Sequence, residues 1–174
     1  MDYNFNKTVT GIYPYDRKKA YLYAAKWAFS RNPEYYDFEN LGGDCTNFIS
    51  QALHAGGCPM NHTRDTGWYF YNLNNRAAAW TGVEFLYRFL MNNKGRGPIA
   101  RLCKIEELEV GDIIQLNFED DNIFNHSLLV VRIEQPINHD NIFISTHTDD
   151  RFDYQLSNYY YNDIRYIHIE GYKY

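Results

Sequence analysis

The sequence predicts an α+β fold, in which helices come first along the chain and antiparallel β-strands follow. Two observations lead to this prediction. Before residue 95, apolar residues recur at helical spacing in three segments, whereas from residue 108 onward they alternate with polar residues as in strands. A length of 174 residues suits one domain with one core, so residues 1–174 are expected to form a single domain.

Three helices are predicted from their start and stop signals. The first is capped by Asp16 and stopped by Asn32-Pro33. The second ends at Gly56-Gly57, and its apolar face consists of residues at i, i+3, i+4, i+7 and i+8, namely Cys45, Phe48, Ile49, Ala52 and Leu53. The third has the capping-box spacing of Thr81 and Glu84 and ends at residues 92–95. Residues 58–80 are predicted to form a long irregular loop.

Four strands are predicted in the second half of the chain, over residues 113–118, 126–133, 141–147 and 164–169. Residues 135–140 are rich in turn-forming residues and are expected to join the second strand to the third. The helix that begins at Cys45 would then pack against this antiparallel sheet.

Composition excludes several classes of partner. The net charge of -5 provides no basic surface for nucleic acid or for an anionic membrane, so neither partner is expected. The domain is expected to be a monomer. The segment Met1–Lys7 has none of the features of a secretory signal. The three cysteines cannot all pair within one chain, and none forms a C-x-x-C motif, so a disulfide scaffold is not expected.

No metal or other cofactor is predicted. His54, Cys58 and His62 recur every four residues, which is a spacing that could place metal ligands on one helical face. Gly56-Gly57 and Pro59 interrupt the helix that would align them, so a zinc site is discounted.

Cys45 is the candidate nucleophile, because thiol attack on a carbonyl needs a thiolate, and a helix N-terminus favours negative charge. Asp44 works against this, since a carboxylate that caps the helix occupies the unpaired amides and disfavours a nearby thiolate. A histidine that forms an ion pair with the thiolate would overcome the penalty. His126 opens the second strand, where it can face the end of a packed helix, and is the candidate general base.

A third residue is needed to orient the histidine. The neighbouring strand ends in Ser145–Asp150, which offers a histidine, two carboxylates and three hydroxyls. His147 is the preferred candidate and Asp149 the second, because the answer depends on the strand register. Before the nucleophile, Gly43 lets the backbone bend and Asp44 supports the helix start, while the N–H of Cys45 can donate to the oxyanion.

The motifs at residues 42–51 (Gly-Gly-Asp-Cys-Thr-Asn-Phe-Ile-Ser-Gln), 111–116 (Gly-Asp-Ile-Ile-Gln-Leu) and 125–131 (Asn-His-Ser-Leu-Leu-Val-Val) resemble an amidase domain family of Gram-positive bacteria. That family is similar to the NlpC-type and CHAP cell-wall peptidases. The resemblance extends from about residue 13 to Gly171. It implies a papain-like fold in which Cys45 is the nucleophile, His126 the base and a polar residue on the next strand the third member.

The resemblance also implies that the protein hydrolyses amide bonds, with a peptidoglycan stem peptide as the expected substrate and the cell envelope or the extracellular space as the expected location. Two alternatives remain. The same fold could carry out another acyl transfer, such as deamidation of a protein, or it could only bind a peptide or glycan. The aromatic run at residues 68–71 could stack on sugar rings or pack against the core.

Overall fold

The computed structural model describes residues 11–174, so the segment Met1–Lys7, from which the absence of a secretory signal was predicted, lies outside the described residues. Within residues 11–174, four α-helices and eight strands follow one another. The helices are α1 (Arg17–Trp27), α2 (Cys45–Ala55), α3 (Ala78–Thr81) and α4 (Val83–Asn92). The strands are β1 (Phe70–Asn72), β2 (Asn75–Arg76), β3 (Gly97–Leu102), β4 (Ile113–Asn117), β5 (His126–Ile133), β6 (Ile142–Thr146), β7 (Arg151–Gln155) and β8 (Asp163–Lys173).

A six-stranded antiparallel sheet in the order β3-β8-β4-β5-β6-β7 forms the centre of the molecule, and β1 and β2 form a separate hairpin. Helix α2 packs against α1 on one side and against β5 in the sheet on the other. The chain therefore has the helices and the antiparallel sheet of an α+β protein. The finer expectations, a papain-like fold and a single domain over residues 1–174, stay predictions.

Both faces of the sheet are covered. Each central strand sends alternate side chains to opposite sides, and the apolar ones form a separate cluster on each face. One cluster lies under the helices and includes Ile113, Leu129 and Val131, together with the apolar faces of α1, α2 and α4. The other lies on the far face and includes Leu128 and Val130 of β5. Strand β4 is buried along its whole length for this reason.

Helix α2 begins and ends where predicted, whereas α1 begins as predicted but ends at Trp27, before the predicted stop at Asn32-Pro33. The carboxylate of Asp16 accepts a hydrogen bond from the Lys19 N–H at 3.0 Å, which confirms Asp16 as the cap of α1. The predicted capping box of the third helix was wrong, because Thr81 is the last residue of α3, and Gly82 precedes α4 without a side-chain cap.

Strands β3 and β7 were not predicted. They form the two edges of the sheet, where β3 pairs with β8 and β7 pairs with β6. The loop predicted for residues 58–80 contains the β1–β2 hairpin and helix α3. Within its aromatic run, Trp68 and Phe70 are buried in the core, whereas Tyr71 is exposed and stacks on His62.

Among residues 11–174, no helix has the length and the apolar character required to cross a membrane.

Candidate active site

Cys45 is the first residue of α2 and is only 7% exposed. Its thiol lies 3.8 Å from the hydroxyl oxygen of Thr46. Burial is the largest effect on this group and raises the pKa of the Cys45 thiol, whereas hydrogen bonding from the Ser127 N–H, the Thr46 hydroxyl and the Thr46 N–H lowers it by less. The resting side chain is therefore held as a thiol, beside the donors that a thiolate would use.

Asp44 does not cap α2 through its side chain, so that part of the sequence-based interpretation was wrong. The Asp44 carboxylate instead accepts hydrogen bonds at 2.8 Å from the Phe38 N–H and from the Asn47 side-chain amide. Its charge does raise the pKa of the Cys45 thiol, as expected, but this is the smallest of the contributing effects. Burial, more than Asp44, opposes the thiolate.

His147 is placed differently from the prediction. Its Nδ1 lies 2.5 Å from Oδ2 of Asp44, and its Nε2 donates to the Trp27 carbonyl at 2.8 Å. The ring also stacks on Phe48, with centroids 4.1 Å apart. Because both ring nitrogens already have partners, His147 cannot orient His126 in this conformation, and it acts instead to hold the start of α2.

His126 opens β5 and pairs with Leu116, so its side chain projects toward the far face of the sheet with Leu116 and Leu128. The ring contacts Phe118 and Tyr159, with centroid distances of 5.7 and 6.0 Å. Burial lowers the pKa of His126 from 6.5 to about 4, and the charge of Asp149 opposes that shift. His126 is consequently neutral near pH 7.

Two links bring Cys45 and His126 to the same end of the sheet. The Ser127 N–H reaches the thiol, and Ser127 is the chain neighbour of His126. Tyr159 touches the His126 ring. Burial is the main cause that raises the pKa of Tyr159, and the charge of a Cys45 thiolate adds a small effect in the same direction. Within the described residues, however, no hydrogen bond joins the Cys45 thiol to His126, because Ser127 faces α2 while His126 faces the other side.

Asp149, the second candidate for the third residue, is the carboxylate whose charge acts on His126. It lies in the turn after β6 with φ of 64°, and its side chain is 71% exposed. It accepts a hydrogen bond from Arg151 at 2.7 Å rather than from the histidine. The electrostatic contact thus favours Asp149 over His147 as the partner of His126.

A buried polar network, which the sequence did not reveal, clamps α2 to the sheet. The hydroxyl oxygens of Thr46 and Ser127 are 3.0 Å apart, and the Gln115 side-chain amide donates to Ser127 at 3.1 Å. Arg165 donates to the Gln115 side-chain oxygen at 2.8 Å and pairs with Glu84 at 2.9 Å. Side chains alternate along β5, so Ser127, which follows His126, faces α2. This alternation is the signal in the sequence that could have placed Ser127 in the network.

The backbone before the nucleophile bends as the glycines predicted, since Gly42 and Gly43 have φ of 92° and 98°. A Cβ on Gly43 would lie 3.0 Å from the Thr148 hydroxyl. The Gly43 N–H donates to the Phe38 carbonyl and the Asp44 N–H donates to Thr148, so neither is available to an oxyanion. The Cys45 N–H has no hydrogen-bond partner among the described residues and stays the available donor.

Across residues 11–174 there is no group of three or more histidine, cysteine, aspartate or glutamate side chains that could hold a metal ion. His54 bonds to the Cys58 carbonyl at 2.8 Å, whereas His62 stacks on Tyr71. Cys45, Cys58 and Cys103 are all free thiols.

A cysteine at a helix start, next to the first residues of a histidine-bearing strand, is an arrangement typical of thiol-dependent acyl transfer. Residues 14–169 match the family described as "Putative amidase domain", and the chain belongs to that family. Family membership indicates an amidase-type hydrolase.

Two proteins of Bacillus subtilis (strain 168) are similar to this chain. "Uncharacterized protein YhbB" is 40% identical over 121 residues, which are 68% of this chain and 38% of the relative. "Uncharacterized protein YjcM" is 26% identical over 113 residues, which are 65% of this chain and 25% of the relative. The chain therefore spans well under half the length of either relative. No solved structure matches.

Proposed function

We propose that this domain is a cysteine amidase or peptidase that cleaves an amide through a thioester acyl-enzyme, on a papain-like fold similar to the NlpC-type and CHAP peptidases. The observation that carries the proposal is the position of Cys45. It starts a helix that has no side-chain cap, and the Ser127 amide beside its thiol belongs to the residue that follows His126. Membership of an amidase domain family supports the same chemistry.

In the proposed reaction, neutral His126 takes the proton of the Cys45 thiol while the sulfur attacks the substrate carbonyl carbon. The carbonyl oxygen becomes an oxyanion that the Cys45 N–H can stabilise. When the C–N bond breaks, the imidazolium gives its proton to the leaving amine, and a thioester remains. His126 then removes a proton from water, which attacks the thioester and releases a carboxylic acid and the free thiol.

A neutral base suits this order of events. Because burial lowers the pKa of His126 to about 4, the resting ring carries no proton at neutral pH and keeps a free acceptor nitrogen. The same burial makes the ring a weaker base than an ordinary histidine until the polar substrate and the thiol come close to it. Because burial raises the pKa of the Cys45 thiol, the proton leaves as the substrate arrives rather than beforehand. Attack requires the thiol and the ring to approach each other, and the exposed Asp149 would stabilise the imidazolium that then forms.

The proposed substrate is an amide in peptidoglycan, either a stem-peptide bond or the bond between the glycan and its peptide. Purified peptidoglycan should be incubated with the protein and the released fragments identified by mass. New N-acetylmuramic acid ends would indicate an amidase, and new stem-peptide ends an endopeptidase. Cys45→Ala should abolish release, whereas Cys103→Ala, at a half-buried cysteine without a proposed role, should not. An active Cys45→Ala protein would contradict the proposal.

A second candidate function is binding without catalysis, which the raised pKa of the Cys45 thiol and its lack of a hydrogen bond to His126 favour. A binding module would retain peptidoglycan fragments without releasing new ends. Deamidation or transpeptidation on the same fold would instead release ammonia or produce a cross-linked product, and both are measurable in the same incubation.

A further inference from the structure

Two side-chain donors are buried without a hydrogen-bond partner in the part of the chain that the structure describes: Nε of Arg151 and the hydroxyl of Tyr159. Buried polar groups are nearly always paired, because leaving one unpaired forfeits its hydration with nothing in return. An unpaired donor therefore calls for a specific explanation, and a bound ligand that supplies the missing acceptors is one.

The two donors belong to one stack of side chains that ends at the proposed base. The Arg151 guanidinium lies over the Tyr154 ring at 4.9 Å, and Tyr154 packs edge-on against Tyr159 at 5.5 Å. Tyr159 in turn touches His126, with ring centroids 6.0 Å apart. The stack thus runs from Arg151 to the proposed base, and the charge of a Cys45 thiolate acts weakly on Tyr159 as well.

Arg151 keeps capacity for a further acceptor. One Nη donates to Asp149 at 2.7 Å, and the other reaches the Asp150 carbonyl only at the long distance of 3.5 Å. Asp149 is 71% exposed, so it neutralises part of the guanidinium charge from the solvent side without occupying Nε. The charge of Arg151 acts on the Tyr159 hydroxyl, and a free guanidinium N–H together with a free hydroxyl can serve the two oxygens of one carboxylate.

We propose that Arg151 and Tyr159 bind a carboxylate of the substrate, so that the enzyme acts on an amide that lies next to a free carboxylate. This inference rests on the proposed function, because it places the carboxylate beside Cys45 and His126. A singly charged carboxylate fits better than a phosphate dianion, since Asp149 already offsets part of the Arg151 charge. The acyl donors selected in this way are peptides or amino acids with an unblocked carboxyl group near the scissile bond.

Paired alkylating reagents test this without knowledge of the substrate. Iodoacetate and iodoacetamide both form a bond between the cysteine sulfur and a CH₂ carbon and release iodide, but only iodoacetate carries a carboxylate. The ratio of their rates at Cys45, located by peptide mass, should exceed the ratio for N-acetylcysteine at least about tenfold, because a charge-assisted site raises the local concentration of the anion.

Arg151→Gln should bring the ratio close to that of N-acetylcysteine, and Tyr159→Phe should lower it in the same direction. Arg132→Gln is the matched control, since Arg132 is also paired with carboxylates, Asp153 and Glu134, but lies over the Phe143 ring rather than over Tyr154. It should leave the ratio unchanged. A wild-type ratio equal to that of N-acetylcysteine, or an unaltered ratio in Arg151→Gln, would overturn the proposal.

A binding measurement separates this proposal from the proposed function. In Cys45→Ala, which has no nucleophile, N-acetylalanine should shift the Arg151 Nε–H resonance in a saturable manner, whereas N-acetylalaninamide should not. Saturable binding together with a lack of hydrolysis by the wild type would sink the proposed function and leave the carboxylate site standing. Equal responses to both compounds would overturn the carboxylate site even in an active hydrolase.

Discussion

Asp44 and His147 form a buried pair, with Oδ2 of the carboxylate 2.5 Å from Nδ1 of the ring and each side chain 1% exposed. The pair joins the residue before α2 to the residue that follows β6. Arg31 adds a cation 3.6 Å from the same carboxylate oxygen. The contact therefore fixes the start of the nucleophile helix to the sheet.

Replacing His147 should affect stability before chemistry. His147→Ala removes the closest partner of the buried Asp44 carboxylate, which keeps Arg31 and two hydrogen bonds, so the loss should be about 1.5–3 kcal/mol, as for one hydrogen bond to a charged group. Urea denaturation followed by fluorescence should show this loss as a lower midpoint. When Asp44→Ala is already present, adding His147→Ala should lower the urea midpoint much less than His147→Ala does in the wild type.

The alternative is that His147 orients His126, as the sequence-based prediction had it. In that case His147→Ala would retain most of its stability and lose only hydrolysis. An unchanged urea midpoint would show that the buried pair contributes little.

Thr46 is predicted to position Cys45 through Ser127. Thr46→Val keeps the shape of the side chain but removes the hydroxyl that lies 3.0 Å from Ser127 Oγ, at a cost of about 1 kcal/mol. The same change removes a donor that lowers the pKa of the thiol, so alkylation of Cys45 near pH 8 should slow as well. Thr66→Val, at an exposed threonine, is the control and should alter neither property. Alkylation at the wild-type rate in Thr46→Val would argue against a positioning role.

His126 should make the protein sensitive to acid. Its pKa is about 4 in the folded protein against an ordinary 6.5, so at pH below 6.5 the unfolded chain takes up a proton that the folded chain does not. The free energy of unfolding should therefore fall as the pH drops from 6.5 to 4, and His126 should account for about 3 kcal/mol of this loss. Above pH 6.5, His126 should have no effect on the pH dependence of stability. Urea denaturation at several pH values measures it. His126→Gln should flatten this part of the profile, and an equally steep profile in that variant would show that other groups cause the loss.

The sequence predicted the elements that have strong local signals. Asp16 marked the start of α1 and Gly56-Gly57 the end of α2, because capping and chain reversal depend on a few neighbouring residues. The edge strands β3 and β7 were missed, since neither has a long apolar alternation and each is defined by pairing with a distant part of the chain.

The candidate site was predicted only in part, for a related reason. The motif around Cys45 and the strand start at His126 are local patterns, and both are found near one end of the sheet. The partner of His147 depends on how β6 meets α2, which is a long-range relationship across 103 residues. Arg151 and Tyr159 had no local signal, since one lies in an unpredicted strand and the other in a run of three tyrosines.

The reactivity of Cys45 should rise at higher pH than that of an ordinary thiol. Burial raises its pKa, and a neutral His126 supplies no positive charge to oppose this in the resting protein. Since the thiolate is the form that reacts, the rate of alkylation by iodoacetamide should increase with pH with a midpoint above about 8.5, the ordinary thiol value. The same peptide in urea provides the reference midpoint. The ion pair predicted from the sequence requires the opposite, a midpoint well below this reference that His126→Gln moves upward, and that result would show that the two side chains are already paired before substrate binds.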